Sequence, residues 1–282
     1  MESLLSLAFD NLSSYDGPKI KKGLKQVEGL LAQICLPGTA TNKKGLSDLS
    51  KDPAFREFFK LQEGFEWNIA QRLLTTLDWL VARGGDGQYD LLIVNALDLI
   101  QGVLLLHPPS KALFSRHIYM NLLLDLIEPV NCPAIQCATI ITLVVALLDA
   151  PANTRVFEQL DGLLTITSLF KSRETGREVK FRLTEFLYFY LTPETPSIPK
   201  AESRAEAGAG PGLLQRSPSK LAKVFGGNGH ARSSSKRTNE DSGDSTLPVE
   251  TKKQFVDRFL PGVVDELLKD LDTYMPFGGI LS

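Results

Sequence analysis

The stretch Asn153-Thr-Arg155-Val-Phe157-Glu-Gln-Leu160-Asp-Gly162-Leu-Leu164 decides the fold prediction for this chain. It follows an apolar helical stretch from Pro133 to Leu148 and precedes further helical spacing that ends at Leu191. The order is helix, tight turn marked by Gly162, helix, polar turn and helix. Each predicted helix carries more apolar surface than it can bury alone, so each needs a stacked neighbour. The block therefore predicts stacked helical hairpins.

The same block resembles an armadillo repeat. Asn153, Arg155 and Phe157 match the short helix that opens such a repeat, Gly162 matches its turn, and Leu163 to Phe170 match its second helix. The resemblance implies an armadillo/HEAT-like stack of helical hairpins.

Helical spacing punctuated by proline and glycine also runs through the chain upstream of this block, without the period-two alternation of strands. Asp52-Pro53 is a strong start signal, because Asp caps free N–H groups and Pro tolerates the first turn. We therefore predict an all-α domain over residues 1–192. Its upstream helices are expected at Leu4–Leu12, Ile20–Ile34, after Asp52-Pro53, and at Phe65–Val81, Tyr89–Leu106 and Lys111–Ile127.

The composition changes after Thr192. Residues 193–249 are rich in Pro, Gly, Ser and basic residues, and such a stretch predicts a disordered basic linker. Residues 250–282 then carry a C-terminal amphipathic helix that Pro261 divides into two segments. The linker permits this helix to cover the last unit of the stack or to dock on a partner.

Bulk composition excludes several classes of protein. A formal charge of −2 over 282 residues favours neither nucleic acid nor an acidic membrane surface. No apolar stretch is long enough for membrane insertion, and the first residues lack the basic region of a signal peptide. Three cysteines without a C-x-x-C pair are typical of a reducing compartment. These features predict a protein of a reducing compartment, either cytoplasmic or nuclear, that binds no nucleic acid.

Motifs for catalysis, cofactors and metals are missing from the sequence. Its three histidines have no acidic or cysteine partner at metal-ligand spacing. The glycines of Gly84-Gly85-Asp86-Gly87 lack the Lys-Ser or Lys-Thr of a phosphate loop, and they predict a helix end. Cys132 and Cys137 lack a downstream Arg, so we interpret them as buried, inert thiols. We therefore predict a protein that is no enzyme and holds no cofactor.

Two serines in the linker are candidate phosphorylation sites. Ser217 precedes Pro218, with a lysine three residues after the serine, as cyclin-dependent kinases prefer. Ser235 ends the sequence His230-Ala-Arg232-Ser-Ser-Ser, which resembles the preference of nuclear-Dbf-related kinases. Phosphate at either serine would add up to about two negative charges to a basic segment.

Large aromatic residues are candidates for partner binding, because they tend to dominate the energetics of protein interfaces. We select Trp67, Trp79, Phe186 and Tyr190. The cluster from Phe181 to Tyr190 crowds every face of one helix, which leaves both a core role and an interface role open.

The layout of residues 1–192 resembles the fungal cell division control protein 14 family, a component of the septation initiation network that is unrelated to the phosphatase sharing its name. The resemblance rests on Glu2 to Leu12, Asp52 to Phe55, Asn153 to Glu158 and Phe181 to Leu191. It implies a non-catalytic scaffold that binds a germinal-centre-type protein kinase and supports its localisation to the spindle pole body. With that kinase the chain would trigger septum formation and cytokinesis. The alternatives are an armadillo-type adaptor for another peptide or protein, and an enzyme with an unrecognised helical site.

Overall fold

The computed structural model describes residues 1–36, 49–85, 87–194 and 246–274, with side chains through residue 269. They belong to one compact unit formed by Met1–Pro196 and Ser245–Ser282. All regular elements in these ranges are helices, so the all-α prediction is confirmed. The helices are α1 (Glu2–Leu12), α2 (Gly17–Cys35), α3 (Pro53–Glu63), α4 (Ile69–Arg83), α5 (Asp90–Leu106), a 3-10 helix (Pro108–Ser115), α6 (His117–Ile127), α7 (Pro133–Leu147), α8 (Pro151–Gln159), α9 (Gly162–Lys171), α10 (Arg177–Leu191), α11 (Val249–Phe259) and α12 (Val263–Tyr274).

Helix α7 forms the centre of the core. It packs against α5, α6 and α10, and eleven of its fifteen residues are buried. Its two buried threonines bond to the carbonyls four residues back, Thr139 to Ile135 at 2.7 Å and Thr142 to Ala138 at 2.9 Å. Their hydroxyls are thereby satisfied within the helix, so an almost wholly apolar helix tolerates them in the core.

The N-terminal helices pack onto the same core through α5. Helix α2 lies between α1 and α5, and α4 packs against both α5 and α1. The start predicted for α3 is confirmed, because the Asp52 carboxylate accepts a hydrogen bond of 2.8 Å from the backbone N–H of Ala54. This bond satisfies one of the free donors of the first turn.

The prediction of a helix from Phe65 to Val81 is wrong at its start. Helix α4 begins at Ile69, because the Asn68 side chain accepts a hydrogen bond from the backbone N–H of Gln71 at 2.9 Å and caps the helix. Trp67 therefore lies in the preceding turn.

The prediction of one helix from Lys111 to Ile127 is also wrong. A 3-10 helix and α6 replace it, and they are separated at Arg116, whose backbone is extended. Contacts from outside the segment hold Lys111 in place. Its carbonyl accepts a bond of 2.8 Å from the Asn153 side chain, and its Nζ donates to the Leu148 carbonyl at 2.7 Å. Hydrogen bonds to residues about forty positions away in the sequence thus override the local helical pattern.

Helices α11 and α12 return to the core after the long gap in the described chain. Helix α11 packs on α9 and α10, while α12 packs on α10 and α11. Their apolar residues Val256, Leu260 and Val264 are buried. The break at Pro261 agrees with prediction. The sequence left open whether this segment covers the stack or docks on a partner, and in the structure it packs on the chain's own core.

No single helix in the described ranges has both the length and the apolar composition needed to cross a bilayer. Helix α5 and the 3-10 helix after it pass that test as a pair, with a bend of 119° between them.

Candidate functional site

A buried ionic cluster joins α8, the end of α10 and α11. Arg155 contributes Nη2, which lies 2.6 Å from Glu194 Oε1 and 3.1 Å from Glu158 Oε1. Lys252 Nζ lies 3.5 Å from the same Glu194 oxygen and donates to the Thr192 carbonyl at 2.7 Å. Two cations and two carboxylates thus meet where the returning chain reaches the core.

Tyr190 closes this cluster from the core side. Its hydroxyl donates a 2.6 Å hydrogen bond to Glu158 Oε1, and its ring lies 4.9 Å from Lys252 Nζ. The second oxygen of Glu194 accepts the backbone N–H of Leu247 at 2.9 Å. These donors and acceptors bind one another across three chain segments. The cluster therefore holds α8, the end of α10 and α11 together.

Burial shifts the pKa values of three side chains in the cluster. It raises the pKa of Glu158 above its ordinary value, although the Tyr190 hydrogen bond and the charge of Arg155 oppose that effect. It lowers the pKa of Lys252, against the attraction of Glu194. The pKa of Tyr190 is raised by burial first and by the Glu158 hydrogen bond second, so the phenol stays protonated and acts as a donor.

A groove of about 350 Å³ opens beside the cluster, between the α8–α9 turn and α11. Arg155 and Glu158 form its polar wall, and Leu164, Phe255 and Phe259 form its apolar wall. Its two arginines and two carboxylates balance in charge, so the groove favours neither an anion nor a cation. The residues that line it are Arg155, Glu158, Gln159, Asp161, Leu163, Leu164, Phe255, Arg258 and Phe259.

An aromatic ledge, defined by Tyr15, Trp79 and Tyr89, lies where the α1–α2 loop meets the end of α4 and the start of α5. The ring centroids of Tyr15 and Trp79 are 5.6 Å apart, and those of Trp79 and Tyr89 are 5.8 Å apart. The Arg83 guanidinium lies 5.7 Å from the Trp79 ring. Tyr15 is 66% exposed and has a left-handed backbone (φ 54°), a conformation that is rare for an aromatic residue and recurs at functional sites.

The four aromatic residues selected from the sequence occupy different environments. Phe186 and Tyr190 are fully buried, with ring centroids 6.4 Å apart, and offer no surface to a partner in this structure. Trp67 is partly buried and stacks on Phe9 at 6.2 Å. Trp79 is partly buried within the ledge. Partner binding by the two tryptophans stays a prediction, and Ser217 and Ser235 lie outside the described residues.

The cysteines and potential metal ligands give no reactive cluster in the part of the chain that the structure describes. No group of three His, Cys, Asp or Glu side chains there could hold a metal ion. Cys137 is buried and Cys132 is partly buried, and burial raises the pKa of the Cys137 thiol. A raised pKa keeps that thiol protonated and weakly nucleophilic.

His107 is a buried titratable group outside the cluster. Its Nδ1 shares a 2.8 Å hydrogen bond with Ser110 Oγ, its ring packs edge-on to Phe59 at 4.5 Å, and its buried Nε2 has no partner in the described structure. Burial lowers the pKa of His107, and the charge of Glu63 opposes the shift. The neutral imidazole therefore fits this site better than the imidazolium.

We expect acid to destabilise the protein through His107. Because its pKa is lowered on folding, its contribution to stability is present above the ordinary value of about 6.5 and is lost as the pH falls through the lower folded value. In His107→Gln, which cannot titrate, the Tm should fall less steeply than in the wild type between pH 7 and pH 5. Thermal melts at half-unit pH intervals measure this, and parallel curves for the two proteins would contradict it.

The described part of the chain is thus an all-α protein with a buried ionic cluster between its helices and an aromatic ledge around Trp79. The family model described as cell division control protein 14, SIN component, matches residues 1–277, and the chain belongs to this family. It is 32% identical to Cell division control protein 14 of Schizosaccharomyces pombe over 207 residues. This alignment covers 70% of this chain and 82% of that protein.

No solved structure matches the chain. The armadillo/HEAT-like order of the helices therefore stays a prediction, while the family and the all-α fold are established.

Proposed function

We propose that this chain is a non-catalytic scaffold or regulatory subunit of the septation initiation network that binds a germinal-centre-type protein kinase. It supports the localisation of that kinase to the spindle pole body, and so the triggering of septum formation and cytokinesis. The observation that carries the proposal is membership, over residues 1–277, of a family described as a component of this network. The curated relative is likewise named as a cell division control protein.

The aromatic ledge supports a role in binding. Trp, Tyr and Arg are the residues most enriched among those that dominate protein interfaces, and Tyr15, Trp79, Tyr89 and Arg83 lie together here. Their rings are already packed against one another, so a partner would meet a preorganised surface and less side-chain entropy would be lost on binding.

Binding is favoured over catalysis by the state of the polar groups. Burial shifts the pKa values of Glu158, Tyr190 and Lys252, and each of these side chains contacts another member of the ionic cluster. A catalytic acid or base needs a position within reach of a substrate proton. The hydrogen bonds of the cluster instead join separate helices.

We expect Trp79→Ala in the full chain to weaken binding of the purified germinal-centre-type kinase of the network by about tenfold or more. The substitution removes the middle ring of the ledge. Tyr15, Tyr89 and Arg83 all contact this ring, so each of them loses that contact. Isothermal titration calorimetry measures the effect. Phe65→Ala is the matched control, since Phe65 is 81% exposed and lies outside the ledge.

Kinase binding that is equal in the wild type, Trp79→Ala and Phe65→Ala would contradict the ledge as the contact. Failure of the wild-type chain to bind the kinase would contradict the proposed function itself. The Tm of each variant separates a lost contact from a lost fold.

A further inference from the structure

A shallow groove of about 140 Å³ opens between α1 and α2. Helix α1 has apolar residues on two faces. Its inner face buries Leu5, Ala8, Phe9 and Leu12. Leu4 is 58% exposed and lines the groove, and Leu7, one turn further on, is 49% exposed just outside the lining. Two exposed leucines one turn apart form an apolar edge that nothing in the described chain covers.

Gly29 leaves the opposite side of this groove open. It lies in the middle of α2 and is exposed, and a Cβ built there would meet no atom within 4 Å. Glycine inside an exposed helix is less stable than alanine. Gly23 of the same helix has a packing reason, because its Cβ would lie 2.9 Å from Leu12 Cγ and 3.0 Å from the Ala8 carbonyl. No contact within the described chain gives Gly29 such a reason.

The side of α2 that carries Gly29 bears two lysines, and one of them, Lys25, lines the groove. Lys22 and Lys25 are exposed and lie on the helix face that carries Gly29, since they precede it by seven and four residues. With Lys19 and Lys21 they place four cations in the first half of α2, and none forms an ion pair among the described residues. Lys19 lies in the first turn, which contains no acidic residue, so its charge also opposes the helix dipole.

We propose that the α1–α2 groove binds an acidic amphipathic helix of a partner protein. The apolar stripe of that helix lies on Leu4 and Leu7, its backbone crosses close to Gly29, and carboxylates on its flank pair with Lys22 and Lys25. Each feature that costs stability in the isolated chain, namely exposed leucines, a mid-helix glycine and unpaired cations, then acquires a function. The inference is independent of the kinase and of the aromatic ledge.

A protein helix fits this surface better than an anionic membrane does. The groove is concave: α1 lines it with Leu4, Leu5 and Ala8, and α2 lines it with a mixed wall that includes Lys25, so a rod can touch both walls at once. Membrane binding by an amphipathic surface instead scales with the apolar area that enters the bilayer, and two leucines beside a groove provide little.

The test uses the full chain and two synthetic helical peptides of about 18 residues, close to the 19 of α2. Both have leucines at positions i, i+3, i+4 and i+7, and the remaining positions are mainly glutamate in one peptide and lysine in the other. Fluorescence anisotropy measures their affinity. We expect the acidic peptide to bind in the micromolar range, with weaker binding at higher salt, and the basic peptide to fail.

Three groove variants define the expected pattern. Leu4→Glu with Leu7→Glu, and separately Gly29→Gln, should each weaken binding of the acidic peptide by about tenfold. Gly29→Gln should at the same time raise the Tm, so its loss of binding cannot come from unfolding. Lys22→Glu with Lys25→Glu should lose the acidic peptide and gain the basic one. Leu91→Glu, at a leucine that is 64% exposed on α5, is the matched control and should bind as the wild type does.

The inference is overturned if the acidic peptide fails to bind, or binds equally to the wild type and all groove variants. It is also overturned if vesicles containing phosphatidylserine bind the wild type, lose binding in the same variants and leave both peptides unbound, because the surface is then a membrane contact.

Discussion

Gly162→Ala is expected to lower the free energy of unfolding by about 3 kcal/mol, at the upper end of the usual cost of overpacking a core. A Cβ at this position would overlap Cε2 and Cδ2 of the Phe157 ring and would lie 2.7 Å from its Cζ. Phe157 cannot retreat, because it is fully buried and its ring centroid lies 5.5 Å from that of Phe186. The close approach of α8 to the first residue of α9 thus requires glycine.

Urea denaturation followed by circular dichroism measures this cost, with Gly29→Ala as the control. Gly29 has no atom within 4 Å of its hypothetical Cβ, so the same substitution there should stabilise the protein by about 0.5–1 kcal/mol. Opposite signs for the same chemical change would separate packing from helix propensity. A Gly162→Ala variant as stable as the wild type would show that Phe157 can move aside.

The sequence predicted most helices because their signals are local. Proline at a first turn, with Asp52 before Pro53, marks where α3 begins, and Pro261 falls between α11 and α12. The predictions failed where a cap or a distant bond decides the boundary. Asn68 ends the turn that contains Trp67, and Asn153 reaches across to the Lys111 carbonyl.

The ionic cluster could not be predicted from the sequence, because its members are far apart along the chain. Arg155 and Glu194 are 39 residues apart, and Lys252 donates to the carbonyl of a residue 60 positions earlier. The one local signal was Arg155 with Glu158, three residues apart on a predicted helix. The crowded aromatic residues of α10 likewise left an interface role open beside the core role, and in the structure the returning helices α11 and α12 pack on α10 and Tyr190 is buried.

Removing the Glu194 carboxylate should cost about 3 kcal/mol of unfolding free energy, near the low end of the range for breaking a buried ion pair. Glu194→Ala leaves Arg155 and Lys252 facing each other, with side chains that are 18% and 3% exposed. Arg155 keeps Glu158 at 3.1 Å, which limits the loss. Hydrogen exchange should show α11 losing protection before α7, because the bond to Leu247 that anchors the returning chain is also lost.

Lys253→Ala is the matched control for this prediction. Lys253 neighbours Lys252 on α11, and its Nζ lies 2.6 Å from Asp265 Oδ1, as close as the pair that Glu194 makes with Arg155. Its pair is 39% and 72% exposed, so water screens it and its loss should cost far less than the loss of Glu194. Equal losses for Glu194→Ala and Lys253→Ala would contradict burial as the reason the cluster matters.

A double variant separates the cost of the unpaired charge from the cost of the lost hydrogen bonds. In Glu194→Leu with Lys252→Met, one anion and one cation leave together, and Arg155 still pairs with Glu158. Replacing a buried ion pair with apolar residues of similar volume is often neutral or stabilising. The double variant should therefore recover most of the stability that Glu194→Ala loses, and α11 should regain its protection from exchange. If α11 stays unprotected, the cluster acts through its directional bonds to Thr192 and Leu247, and the cost of an uncompensated charge is the smaller effect.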